Sequence, residues 1–191
     1  MKTENKVLMK QARESLAGKW GLAVGTFAVY MVITSIIGNL KNIGPIVSLL
    51  VSGPLMLGVC MFSLSISRNT QAQFEQLFWG FKKFGKSLLA YVLVILFVVL
   101  WTLLLIVPGI IAAISYSQTF FILADDEMIS PSDAMKKSKK IMYGYKWKYL
   151  CLGFRFIGWG LLSILSLGIG FLWFFPYAQV SMAKFYDDIK G

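Results

Sequence analysis

From Ser87 to Ala124 the chain runs for 38 residues without a charged side chain, interrupted once by Pro108-Gly109 in LLLIVPGIIAAISYSQTFFILADD. As one helix at 1.5 Å per residue this run would be about 57 Å long, nearly twice the roughly 30 Å hydrocarbon core of a bilayer. One crossing cannot use it up. Proline has no amide hydrogen for the helix ladder and its ring clashes with the preceding turn, while glycine accepts backbone angles that other residues resist. The run therefore predicts spans over 87–107 and 110–124 with Pro108 and Gly109 as the structural hinge; a re-entrant kink at the same place is the alternative. The second segment is short for a full crossing, which calls for a locally thin membrane or a turn below the outer surface.

The same layout recurs on both sides of this run. Residues 20–66 are apolar with a break near Asn39 to Pro45, and residues 148–184 are apolar with a break at Ser166 to Gly170. Hydrophobic residues make up 57% of the chain and charged residues 15%, and the mean hydropathy is +0.68, which leaves no room for a separate soluble domain. The expected fold is an all-α membrane protein: six transmembrane helices as three helical hairpins, each preceded by a basic amphipathic cytoplasmic helix. In a single domain over 1–191 these divide as an amphipathic N-terminal helix (1–19), hairpin 1 (20–66), an interfacial helix (72–86), hairpin 2 (87–124), a basic amphipathic helix (131–147) and hairpin 3 (148–184).

Lys19-Trp20, Lys86-Ser87 and Lys146-Trp147 lead into the three pairs, and Pro54, Pro108 and Pro176 fall in or after the breaks, the layout of a three-fold repeat. The first twenty residues hold no short apolar core with a small-residue cleavage site, so no cleaved signal peptide is expected.

Charge placement gives an independent orientation. Of the 19 basic residues, Lys41 alone falls in an outer turn and Arg155 alone inside a span. The remainder flank the hairpins, and basic residues in short loops accumulate on the cytoplasmic side. Both termini are thus expected in the cytoplasm.

Besides the N-terminal helix, two segments carry the basic charge at helical spacing. In FEQLFWGFKKF an aromatic stripe of Phe74, Leu77, Phe78, Phe81 and Phe84 leaves Lys82 and Lys83 beside it, as expected of a helix lying along the membrane surface. A further helix opens at SPSD, with Ser130 as cap, Pro131 in the first turn and Asp133 completing a capping box. Its apolar stripe is Ala134, Ser138, Ile141, Met142 and Tyr145. Lys136, Lys137, Lys139 and Lys140 flank that stripe and exceed what orientation requires, so they are candidate contacts for anionic lipid or a partner protein.

Little else suggests chemistry. The chain has no histidine, which removes the usual general base and the commonest metal ligand. Cys60 and Cys151 lie in apolar segments and read as small hydrophobes. Asp125, Asp126 and Glu127 read as a helix end partnering the lysines after it. Arg155 is costly in lipid unless it snorkels or faces inward toward Asp125, Asp126 or a lipid phosphate, which makes it a further candidate contact. Ser115 to Thr119 form a polar patch suited to interhelical hydrogen bonds. No catalytic, cofactor or metal site is expected.

LWTLLLIVPGIIAAISYSQTFFILADD, SPSDAMKKSKKIMYGYKWKYLCLGFRFIGWGLLSILSLGIGFLWFFPY and the closing FYDDI together resemble a family of small integral membrane proteins, mainly of Gram-positive bacteria, known as a domain of unknown function. The resemblance covers nearly the whole chain and implies a multi-pass protein of the bacterial plasma membrane without an established catalytic set. More distantly, the chain is similar to membrane domains accompanying glycerophosphodiester phosphodiesterases. Tyr145 and Arg155 depart from the family pattern, which favours a histidine and a small polar residue there.

The expected role is non-enzymatic binding of membrane lipids, anionic ones foremost, or of a membrane-protein partner or second copy. The alternative is transport, export or self-protection involving a small amphipathic molecule or peptide. Nucleic acid is not an expected partner, because the charge flanks spans.

Overall fold

The computed structural model describes residues 3–41 and 43–190; Met1, Lys2, Asn42 and Gly191, which the expected N-terminal helix and first hairpin partly include, lie outside the described residues. Ten helices are described: α1 (Asn5–Leu16), α2 (Trp20–Gly38), α3 (Gly44–Ser67), α4 (Gln76–Lys82), α5 (Phe84–Leu104), α6 (Ile106–Tyr116), α7 (Thr119–Asp125), α8 (Pro131–Ile141), α9 (Lys146–Leu165) and α10 (Phe171–Ile189). Among the described residues there is no strand.

Five stretches are long and apolar enough to cross a membrane: α2, α3, α5, the α6–α7 run from Ile106 to Asp125, and α9. The sixth long helix, α10, is not among them, because Lys184, Asp187 and Asp188 load its last two turns with charge.

The break in the long apolar run falls at Leu105, in extended conformation, and not at Pro108-Gly109. The reason is the proline ring. A helix through Pro108 would press that ring onto the Leu104 carbonyl four residues earlier, so Leu104 is the last residue of α5. Pro108 then sits in the first turn of α6, where an amide hydrogen has no intrahelical partner anyway. Gly109 serves close packing: a Cβ there would come within 2.2 Å of the Thr102 hydroxyl oxygen on α5. The α6–α7 run passes back along α5, with ring pairs Phe97–Tyr116 and Tyr91–Phe120 between them. Pro54 and Pro176 do not break their helices; both are buried inside α3 and α10.

The core is built around α3, which packs on α4, α5, α7 and α10. Leu57, Cys60 and Leu64 of α3 meet Phe120 to Leu123 of α7 and Tyr186 of α10, where Phe121 stacks on Tyr186 at 5.8 Å. Between membrane-spanning helices such contacts stabilise through close van der Waals packing, since lipid tails are as apolar as the side chains themselves.

The helix at residues 72–86 is shorter than its aromatic stripe suggests. Gln76, Leu77 and Gly80 are its buried residues, whereas Phe78, Phe81 and Phe84 are exposed. The contact with α3 runs backbone to backbone: a Cβ on Gly80 would lie 1.9 Å from the Pro54 carbonyl oxygen, and one on Gly58 1.9 Å from that of Leu77. Small residues, not aromatics, thus fix which face turns inward. Elsewhere α2, α5 and α9 present long rows of exposed leucine, isoleucine, valine and phenylalanine, an apolar belt far larger than a soluble surface carries.

Candidate functional site

Helix α8 begins with the cap its sequence encodes. The Ser130 hydroxyl oxygen accepts the Asp133 amide at 3.2 Å, Pro131 occupies the first turn, and Asp133 sits near the positive helix end. Pro131, Ala134, Met135 and Ser138 are buried, and Met142 follows just past the helix end. Ser138 makes the most informative contact. Its hydroxyl donates to the Ser115 carbonyl at 2.7 Å and accepts the Gln118 amide at 3.2 Å, satisfying both sides of the α6–α7 break. The Ser115, Ser117 and Thr119 hydroxyls donate to carbonyls of their own segment, at Ile111, Ile114 and Tyr116, so the patch meets α8 through its backbone and not through its own side chains.

Lys136, Lys137, Lys139 and Lys140 all remain exposed, but they do not form one cluster. Lys136 and Lys139 border two apolar clefts on either side of Tyr116. One cleft, about 240 Å³, runs between Trp101, Pro108, Ile111 and Tyr116, with Lys139 and Lys146 as its charged lining residues. The other, about 230 Å³, is lined by Leu93, Phe97, Tyr116 and Met135, with Lys136 and Lys139. Tyr116 and Lys139 belong to both. Lys137 and Lys140 line neither cleft.

Lys146, read from sequence as the entry to the third apolar pair, was not among the candidate contacts. It reaches the site because Gly144, at φ +82°, turns the chain between α8 and α9 into the left-handed region that glycine tolerates. Lys136 pairs with Asp133 at 3.2 Å, but both side chains are mostly exposed, so the pair contributes little. The hydrogen bond from Ser130, with the Lys136 charge, holds the Asp133 carboxyl below its ordinary pKa. Arg155 lies elsewhere, exposed on α9. It has no ion pair among the described residues, so the inward contact with Asp125 or Asp126 is absent.

A second charged centre ties helix ends together. Arg68, just past α3, donates to Asp125 at the end of α7 at 2.6 Å and to Asp187 of α10 at 2.7 Å. Lys190 and the Tyr186 hydroxyl donate to the other Asp125 oxygen at 2.9 and 3.0 Å. The hydrogen bonds to the carboxylates, that to Asp187 foremost, raise the Arg68 pKa against the opposing effect of burial. Nearby, Lys148 donates to Asp188 at 2.7 Å, and the Thr3 amide donates to the same carboxylate at 3.1 Å.

This corrects the expectation that Asp125 to Glu127 partner the lysines following them. Asp125 pairs with Arg68 and Lys190, Asp126 accepts the Met128 and Ile129 amides, and Glu127 pairs with Lys83 at 2.9 Å. The lysines of α8 are left facing outward. Arg68, Asp187 and Lys190 escaped sequence reasoning, and Tyr186 reads there only as an interface anchor or packing aromatic; the one available signal was that each stands at the charged end of an apolar run. Among the described residues no three His, Cys, Asp or Glu side chains are gathered as a metal ion would require.

An all-helical chain with five membrane-length apolar helices, an apolar outer belt and charge gathered at helix ends defines a multi-pass membrane protein. It belongs to the family described as proteins of unknown function, DUF975, whose model matches residues 1–115 and 103–191. No curated protein and no solved structure matches the chain.

Proposed function

We propose that this protein is a non-enzymatic receptor for anionic phospholipid of a plasma membrane, with the two clefts beside Tyr116 as its site. The observation that carries the reading is Lys139, which borders both clefts and has no acidic partner among the described residues. A diacyl lipid offers the matching shape, a phosphate for Lys136, Lys139 and Lys146 and an acyl chain for each cleft. Each lysine near an anionic surface contributes about 1 kcal/mol, so the three together amount to about a hundredfold in affinity.

The same reading makes α10 a sixth crossing whose last turns emerge into the headgroup region, giving three hairpins with both termini cytoplasmic. Its support is that Arg68, Asp125, Asp187 and Lys190 hold the ends of α3, α7 and α10 at one level, while Lys83 and Glu127 join the start of α5 to the end of α7. A partner protein or a second copy would engage the same basic face. In a cysteine-free background, a cysteine at position 41 should react with an impermeant maleimide outside intact cells and one at position 137 should not.

The lipid test uses two sets of lysines. Lys136→Gln, Lys139→Gln and Lys146→Gln together should lower binding of phosphatidylglycerol nanodisc lipid by at least tenfold, while Lys137→Gln with Lys140→Gln should change it little. Equal losses from both sets would reduce these lysines to orientation signals.

A further inference from the structure

A second apolar groove has no α8 residue in its lining. It occupies about 370 Å³ and is lined by Trp20 of α2, Trp159 of α9, and Trp173, Phe174 and Tyr177 of α10, together with Arg13 of α1. Helices α2 and α9 both pack on α10, which forms the groove's floor. Trp159 and Trp173 are each about half exposed, at 52% and 50%, so the groove opens sideways toward the surface that faces lipid.

The serine hydroxyls and the Gly170 amide in its lining are already paired. The Ser163 hydroxyl donates to the Trp159 carbonyl at 2.8 Å, and the Ser166 hydroxyl donates to the Ser163 carbonyl and accepts the Gly170 amide, each at 2.8 Å. Arg13 is different. It is the one charged residue lining the groove, and it has no ion pair or hydrogen-bond partner among the described residues. A planar guanidinium with no hydrogen-bond partner among the described residues, in the lining of an aromatic groove, matches a phosphate oxygen pair joined to an acyl chain.

We infer that this groove holds one acyl chain of a bilayer phospholipid, with the lipid's phosphodiester on Arg13. The occupant has to be amphipathic, because the walls are mainly aromatic and aliphatic, with uncharged indole N–H and hydroxyl groups as their polar points, and the one charge in the lining is cationic. A small soluble anion would leave the tryptophan walls without a partner, and a purely apolar molecule would leave Arg13 without one. The groove recognises the phosphate, not the headgroup beyond it, since the lining has no second charge with which to tell a choline from a glycerol. In this it differs from the basic clefts beside Tyr116, which favour net negative charge. The two sites share no residue.

The test is lipid stoichiometry and tryptophan quenching on the full chain purified in detergent. Phosphatidylcholine carrying a dibrominated acyl chain is titrated in, and bound lipids are counted by native mass spectrometry. The unmodified protein should retain one phosphatidylcholine and lose fluorescence as it binds. Arg13→Gln should weaken that binding about tenfold, and Trp159→Phe with Trp173→Phe should remove most of the quenching while leaving the retained lipid in place. Lys139→Gln with Lys146→Gln should leave both readouts unchanged, so this site and the one on α8 stand or fall separately. Retention and quenching that Arg13→Gln leaves as they were would overturn the inference, as would quenching by brominated detergent equal to that by brominated lipid.

Discussion

The Ser138 hydroxyl on α8 lies 2.7 Å from the Ser115 carbonyl oxygen and receives the Gln118 amide at 3.2 Å, closing the gap between α6 and α7. Backbone groups freed by a helix break at membrane depth need an internal partner, because hydrocarbon supplies none. The basic helix is therefore part of the membrane domain's hydrogen bonding as well as its surface. This couples the lysine face to the α6–α7 break, since any movement of α8 orphans two buried polar groups.

Ser138→Ala should lower stability by about 1–3 kcal/mol, the cost of leaving buried polar groups unpaired. Thermal unfolding in detergent checks this against Lys137→Ala, whose lysine is exposed with no hydrogen bond or ion pair among the described residues and whose loss should leave the midpoint nearly unchanged.

Arg68→Gln should destabilise more than Lys190→Gln. Arg68 bonds to both Asp125 and Asp187 across three helices, and its loss leaves the two carboxylates with only Lys190 between them. The side chains are partly exposed, so water softens the penalty to about 1–2 kcal/mol. A double-mutant cycle with Asp187→Asn should recover most of the Arg68 effect; strict additivity would show that the bridge contributes nothing.

Gly58→Ala or Gly80→Ala should each cost about 1–3 kcal/mol or prevent folding, because the new methyl meets carbonyl oxygen 1.9 Å away and the α3 and α4 backbones must part. Gly21→Ala is the control: nothing lies within 4 Å of a Cβ there, and helix propensity makes the change neutral or stabilising by up to about 1 kcal/mol. Denaturant midpoints for the three variants test the ranking.

Acid should loosen the joint between the N-terminus and α10. Burial works to raise the Asp188 pKa, but hydrogen bonds from Lys148 and Thr3 outweigh it and the pKa is lowered. A carboxylate depressed in the folded state stabilises above its unfolded pKa of about 3.9 and loses that contribution as pH falls through the folded value. Asp188→Asn should therefore be less stable than the parent at neutral pH, with the gap narrowing below about pH 4. Melting curves over that range would show a constant gap if the carboxylate's charge played no part.

How much of this was legible in the sequence follows from the range of each interaction. Apolar runs and their breaks are local properties of a segment, set by bilayer thickness and by the backbone's need for hydrogen bonds, so the apolar segments and the α8 cap could be read directly. The turn at Leu105 missed its expected place by three residues because a proline acts on the carbonyl four positions behind it, which a motif centred on Pro108-Gly109 hides.

Pairings were another matter. Asp125 bonds to Arg68, 57 positions away, and Arg68 to Asp187, 119 positions away, and charge alone cannot choose among the lysines nearer in sequence. The split of the lysine helix into Lys136 and Lys139 on the clefts and Lys137 and Lys140 off them likewise required the docked position of α8. Sequence determined that this chain partitions into lipid as helices, because burial of apolar side chains and internal satisfaction of the backbone act residue by residue. Tertiary structure alone decided which charges are neutralised at helix ends and which, like Lys139 and Arg13, are left over, because that depends on backbone approach at Gly58, Gly80 and Gly109, where the missing side chains bring helices together.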